Sequence, residues 1–340
     1  MRSRRAVAWA GLLLVLVATS GLSFCLGASS VGPRAALHAL AAGPRAGHDD
    51  KAAQIVWRIR LPRLLLGFVV GAGLAVAGTM MQSFFQNPMA DPYIVGVSSG
   101  AALGATAAIV LHWQAALLGL SAVPICAFGG AVAATALVYG LSRRGGRVPV
   151  ATLLLTGIAV GSVTSALASL LLVVSPGTRD DLHVVVFWAM GSLAYRGQDQ
   201  LAMIAPYVAV GLLAAALMAR DLNALALGEE TAAHLGVNVE RVKVALIVVA
   251  SLLAAGAVAL AGIIGFVGLI VPHIMRLLVG PDHRVLLPAS ALGGAVLLAL
   301  ADLVARTAAA PTEIPVGIVT SVLGGPFFLY LLHRRRQGQA

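Results

Sequence analysis

From residue 92 to residue 142 the chain carries no Asp, Glu, Lys or Arg. Similar uncharged stretches cover 6–33, 64–90, 148–178, 200–219, 244–275, 285–301 and 314–333. A helix of about 20 apolar residues crosses a hydrocarbon core of about 30 Å, so each stretch is long enough, or nearly so, to span a bilayer. The stretch 92–142 holds two spans, with a turn near His112–Gln114. The stretch 244–275 reads on to Gly280 past Arg276, and Gly262, Gly265, Gly268 and Pro272 divide it into one full helix and one short one. Ten transmembrane helices result. The segment 183–197 is too short and too polar to be another span and reads as a short, partly inserted outer helix.

The fold expected is a single all-α polytopic membrane domain over 1–340. Only 11% of residues are charged, where a soluble domain carries about 25%. So few charges cannot cover a water-exposed surface, which excludes a soluble enzyme, a disordered tail and a nucleic-acid binder despite the net charge of +10.

Lysine and arginine placement sets orientation. Ten spans put both termini on one side, with Arg2, Arg4, Arg5, Arg334, Arg335 and Arg336. Arg143, Arg144, Arg147, Arg220, Arg241, Lys243, Arg276 and Arg284 fall there too, so that side reads as cytoplasmic. The first outer loop resists the rule, since Arg34, Arg45, Lys51, Arg58, Arg60 and Arg63 lie in it. Docking of an acidic partner is the simplest reason. The basic, apolar N-terminus imitates a signal peptide, but nine further spans favour an uncleaved first helix. Cys25 and Cys126 read as small apolar residues rather than a disulfide or metal pair.

Catalytic chemistry is sparse. Neither Lys51 nor Lys243 follows a glycine, so the chain has no Walker A loop. The histidines form no HExxH pattern. Gly96-Val97-Ser98-Ser99-Gly100 matches the nucleophile elbow, but that elbow needs a preceding strand, and here a turn between membrane helices precedes it. Helix–helix contact explains its small residues better. Asp302 and Arg306 are spaced for an ion pair on one helix.

Four passages concentrate Gly, Pro, Asn and charge at span ends. They are Arg58-Ile59-Arg60-Leu61-Pro62-Arg63 leading into Gly71–Gly78; Gln86-Asn87-Pro88-Met89-Ala90-Asp91-Pro92 leading into Gly96–Ala101; Leu227-Gly228-Glu229-Glu230 running to Val237; and Gly265–Ile274 with Asp282-His283-Arg284 and Ala301–Arg306. Together they resemble the BtuC/FecCD-type permeases of ABC importers for vitamin B12, ferric siderophores and haem. The resemblance runs from about Arg58 to the C-terminus. It implies a homodimer with two cytoplasmic ATPase subunits and a periplasmic substrate-binding protein. It also implies no enzymatic activity and no cofactor on this chain, with ATP and Mg held by the partner ATPase.

The same resemblance assigns roles. Arg60, Arg63 and Arg306 match the positions that dock the binding protein. The loop 221–240 matches the coupling helices, with pieces Asn223–Leu227 and Glu229–Leu235; Asn223, Leu225, Gly228, Glu229, Glu230, Ala233, His234, Leu235 and Gly236 are its candidate ATPase contacts. The cytoplasmic gate maps to Asn87–Met89 and to Val150 and Ala151. The vitamin B12 pattern has small hydroxyl residues at the latter place, so this gate is expected to be more apolar and to close by dewetting. Gly71–Met80 and Gly256–Gly265 are similar Gly-rich runs, which hints at two inverted five-helix halves.

The outer segment Ser175–Asp181 and the run Phe187–Leu193 resemble those of haem permeases. Arg179 is the candidate substrate-path residue, suited to haem propionates or a siderophore carboxylate, though Asp180 or Asp181 can claim it. Haem is therefore the expected substrate, with ferric siderophore and vitamin B12 as alternatives. No metal site is expected, and His183 reads as an exposed histidine. A secondary transporter working without an ATPase is the competing class, and the long 221–240 loop argues against it.

Overall fold

The computed structural model describes residues 2–337 except 28–30, 44–49, 115, 118, 119, 144, 146, 176 and 195. Arg45, Arg144 and Pro176 therefore lie outside the described residues. So do the side chains of Arg2, Arg4 and Arg334, Arg335 and Arg336.

The helices run in order α1 (Arg2–Cys25), α2 (Pro33–Ala42), α3 (Lys51–Gln54), α4 (Leu61–Phe84), α5 (Val97–Val110), α6 (Ala122–Ser142), α7 (Val150–Val174) and α8 (Thr178–Ala189). They continue with α9 (Gln198–Leu217), α10 (Ala219–Leu225), α11 (Glu229–His234), α12 (Val239–Ala261), α13 (Val267–Val279), α14 (His283–Thr307) and α15 (Val316–Gln337). Among the described residues, eight helical segments are long and apolar enough to cross a bilayer, and α5 and α13 are shorter apolar helices. Together they make the ten helices read from the uncharged stretches. A two-residue antiparallel pair, Ala116–Leu117 with Leu120–Ser121, turns the chain between α5 and α6.

The central helices are α4, α12 and α14, whose apolar windows are mostly buried, whereas only 11% of that of α7 is. Helix α4 is apolar all round and buried along most of its length, as a helix enclosed by others must be. Its glycines set how close the neighbours come. A Cβ at Gly71 would lie 2.2 Å from the Gly294 carbonyl oxygen, and one at Gly78 would lie 1.9 Å from that of Gly268. Gly71 and Gly78 are two turns apart and share a face, so α4 meets α14 and α13 backbone to backbone.

Helix pairs recur between the chain's halves. Helix α4 packs on α14 as α12 packs on α6; α5 packs on α6 as α13 packs on α14; and α5 meets α7 as α13 meets α15. Five spans per half place the second half upside down relative to the first.

The outer helix expected at 183–197 is displaced. It starts earlier, at Thr178, with Asp180 and Asp181 in its first turn, where acids complement the helix dipole. It ends at Ala189 because Gly191 adopts φ +70, and a Cβ there would strike the Ile263 carbonyl at 2.6 Å. Ser192 then donates its backbone N–H to the Ala261 carbonyl at 2.7 Å. The chain after α8 therefore crosses the end of α12 at Gly191 and Ser192.

Candidate functional site

At the end of the bundle expected to face outward, the structure brings Arg60, Arg63 and Arg306 together. Six residues, Ile55–Arg60, form a π-helical turn between α3 and α4. Pro62 lacks an N–H, and the Leu61 N–H reaches back five residues to the Val56 carbonyl, the bonding pattern of a π-turn. Arg60 donates to the Phe24 carbonyl and, at 3.4 Å, to that of Val31. Arg306 donates to the Ser23 carbonyl at 2.9 Å. Ser23 and Phe24 belong to the last turn of α1, whose carbonyls have no helical partner and attract cations. Arg63 forks onto Asp302 at 2.8–3.0 Å and Glu313 at 2.9–3.0 Å. Asp302 also lies 3.7 Å from the Arg306 Nε, the ion pair expected from their spacing.

These arginines face inward. Arg60 is 4% and Arg306 6% exposed; both donate to α1 carbonyls, Arg63 is taken up by carboxylates of this chain, and the buried Arg306 Nε makes no hydrogen bond. Exposed basic residues nearby are Lys51 and Arg58 on the π-turn and its lead-in. Arg58 and Arg63 also line a cavity of about 690 Å³ with Phe187, Arg196 and the segment Pro311–Pro315, which carries Glu313. Burial lowers the pKa of Arg196, and its Nε has no hydrogen-bond partner. Sequence reasoning missed Arg196 and Glu313; only their place beside span ends hinted at them.

Arg179 sits exposed on the first turn of α8. Asp181 is buried, accepts from the Ser175 hydroxyl and lies 3.9 Å from His112. His183 is exposed and stacks on Phe187 at 4.5 Å. Among the described residues, no group of three or more His, Cys, Asp and Glu is placed to hold a metal ion.

At the other end, the loop after α9 folds as α10 and α11, separated by Leu227 and by Gly228 at φ +103, and is closed by Gly236 at φ +85. Helix α10 starts at Ala219, ahead of the expected boundary, directly after α9. Leu225 is buried, whereas Glu229, Glu230, Ala233, His234, Leu235 and Gly236 are exposed. Asn223 is half-buried and holds the start of α14. It donates to Asp282 Oδ1 at 2.8 Å and accepts from the His283 backbone N–H at 2.9 Å. The bonds from Asn223 and the Arg284 N–H keep the Asp282 carboxyl below the usual carboxylate range.

The expected gate segments lie on two elements that meet. Gln86 ends the α4 region at φ +48 and donates to the Leu225 carbonyl of α10 at 3.1 Å. Asn87 is exposed and its side chain accepts from the Met89 N–H at 3.0 Å. The chain then enters a 3-10 turn, Pro92–Val95, capped by Asp91. Burial raises the Asp91 pKa to about 6 against its hydrogen bond from the Tyr93 N–H. Helix α7, which begins with Val150 and Ala151, rests on this turn: a Cβ at Gly157 would lie 2.2 Å from the Ile94 carbonyl oxygen. Ala151 is exposed and Val150 partly so.

The GxSxG run opens α5 with no strand before it. A Cβ at Gly100 would lie 2.3 Å from the Gly130 carbonyl oxygen on α6, so the motif's final glycine serves a helix crossing.

This arrangement matches known proteins throughout its length. Residues 12–334 match the FecCD transport family. The cobalamin import system permease protein BtuC of Halobacterium salinarum is 49% identical over 87% of this chain and 78% of its own. The hemin transport system permease protein HmuU of Yersinia pestis is 45% identical over 83% of this chain and 84% of its own. The Fe(3+)-citrate import system permease protein YfmD of Bacillus subtilis is 38% identical over 95% of this chain and 93% of its own. An inward-facing metal-chelate type ABC transporter superposes with a TM-score of 0.83 at 34% identity, covering 97% of this chain and 99% of that one. With two helix-locked ends, ten apolar spans and these relatives, the chain belongs to the FecCD transport family.

Proposed function

We propose that this permease imports a bulky anionic iron chelate, with haem the best fit. The observation that carries this reading is the outer cavity of about 690 Å³, where Arg58 and Arg196 stand beside Phe187 and the wall also holds Arg63, itself paired with Asp302 and Glu313. Such a mouth suits a flat apolar ligand with carboxylate edges. Arg179, exposed nearby in the chain on α8, adds cationic character to the same side.

The path continues along α7, whose exposed face carries Ser162 and Ser169 among Ala159 and Ala166. Their hydroxyls return to carbonyls of their own helix at 2.9 and 3.0 Å, leaving a smooth, weakly polar wall. Hydroxyl-bearing faces are better placed against a second copy of the chain and a shared path than against lipid. The assembly is then a homodimer in the inner membrane with both termini cytoplasmic, two ATPase subunits at α10 and α11, and a periplasmic binding protein above. The exposed Leu227 and Leu235, 64% and 63% accessible, are apolar contacts suited to a groove on the ATPase, which holds the ATP and Mg.

The deciding assay places the permease, its ATPase and its binding protein in liposomes and offers haem, ferric citrate and cobalamin. ATP-dependent haem uptake that falls in Arg196→Gln is the expected result. Uptake of cobalamin alone would overturn the haem reading and favour the second one, which rests on the 49% identity to a cobalamin permease. Deleting Glu229–Leu235 should preserve membrane insertion and abolish ATP-driven transport.

A further inference from the structure

We propose that the two short helices of the coupling loop drive separate gate elements through two polar relays: α10 moves the Asn87–Met89 turn through His283, and α11 moves the start of α7 through Lys243 and Glu240. The proposal rests on the coupling and gate roles given above and adds how they are joined.

The first relay is built around a buried imidazole. His283 is 4% exposed. Its Nδ1 lies 2.8 Å from Asn223 Oδ1 on α10, and its Nε2 lies 2.6 Å from Ser83 Oγ on the last turn of α4. Asp282 only accepts, which turns the Asn223 amide nitrogen toward it and the amide oxygen toward His283, so Nδ1 carries the proton. The ring therefore spans two helices in one fixed orientation. A parallel strut, Gln86 to the Leu225 carbonyl, ties the same pair one residue before Asn87.

The second relay is ionic. Lys243 on α12 is 4% exposed, and its ammonium lies 2.6 Å from Glu229 of α11 and 3.5 Å from Glu240. The other oxygen of Glu240 accepts the Val148 backbone N–H at 3.2 Å, two residues before α7 begins. A buried ammonium flanked by two carboxylates is costly to separate from either. Displacement of α11 therefore pulls on Lys243, and through Glu240 on the lead into Val150 and Ala151. A loop with two rigid helices and two attachments can move its targets unequally, which one attachment cannot do.

The test reads both gates in the complete complex with its ATPase. In a background with Cys25→Ala and Cys126→Ala, single cysteines are placed as Met89→Cys or Ala151→Cys. Modification by a water-soluble maleimide is followed with and without ATP and vanadate. Nucleotide should change the rate at each position by about tenfold, the scale of one network coupling. Lys243→Met should abolish the change at position 151 and keep it at 89, and His283→Phe should do the reverse. Glu240→Ala and Ser83→Ala cut each relay at its far end with less disturbance of the fold and should reproduce the same split. Responses that persist at both positions in all four variants overturn the relays while leaving the gate assignment intact. Loss at both positions from either cut overturns their separateness. A background protein that shows no nucleotide response at either position overturns the gate assignment, and the relays with it.

Discussion

The Arg60–Arg63–Arg306 cluster and the 221–240 loop look alike as sequence, since each is a charged, Gly- or Pro-marked passage at a span end. Their structures differ in where the charges go. At the outer end Arg60 and Arg306 cap the last turn of α1, and Arg63 binds Asp302 and Glu313, so the charges join four segments and face inward. At the inner end Glu229, Glu230 and His234 face outward, and the buried members of the network lie beneath them. One cluster spends its charge on the fold; the other ties Glu229 to the buried Lys243 and leaves Glu230 and His234 at the surface. A charged span end is therefore not by itself a landing site; what decides is whether its charges are buried among partners or left at the surface.

Substitution at the two ends should separate these roles. The largest effect is expected from Asp302→Ala, which strips the buried Arg63 and Arg306 of their shared carboxylate. Breaking such a pair costs about 3–5 kcal/mol, read as a lowered thermal midpoint in detergent; an unchanged midpoint would show that the outer cluster is not a structural lock. At the inner end, Leu235→Asp should leave that midpoint alone yet weaken ATPase co-purification by about 2 kcal/mol, the scale of an interface anchor. Tight binding by the variant would move the contact elsewhere on the loop. Arg58→Glu, at an exposed outer position, should slow binding-protein association about tenfold at low salt with little change at high salt. An equal loss at both salt concentrations would speak for a packing defect instead. The smallest effect concerns Asp91. Its raised pKa means that the folded state holds the proton more tightly than the unfolded chain does. Its contribution is complete below pH about 4 and is lost as pH rises through about 6, amounting to about 1 kcal/mol between pH 5 and 7. Asp91→Asn should flatten that slope, as measured by thermal unfolding across pH.

Much of the architecture was legible because hydrocarbon imposes a length on every apolar run. The uncharged stretches located all ten spans, and Gly262 and Gly265 lie in the break between α12 and α13, whereas Gly268 and Pro272, also read as breakers, fall inside α13. The Asp302–Arg306 pair followed from a four-residue spacing. The partners across the bundle did not, because Glu313 and the α1 carbonyls are distant in sequence and carry no periodic signal. Asp282-His283-Arg284 stood out as a charged cluster at a span end, yet nothing local said that the imidazole joins Ser83 to Asn223. The end of α8 was misplaced because its apolar run continues to Leu193, while a left-handed glycine and a bond to the Ala261 carbonyl stop the helix earlier.

The backbone contacts of α4 at Gly71 and Gly78 have a mechanical consequence. Helices touching through carbonyls and Cα atoms have no side chains between them to repack, so α4, α13 and α14 cannot rock apart without opening a void. Helix α7 is the contrast: it packs on α5, α6 and the 92–95 turn, yet few of its residues are buried within the chain. A methyl group at Gly78 would force α4 and α13 apart at a point where no side chain can give way.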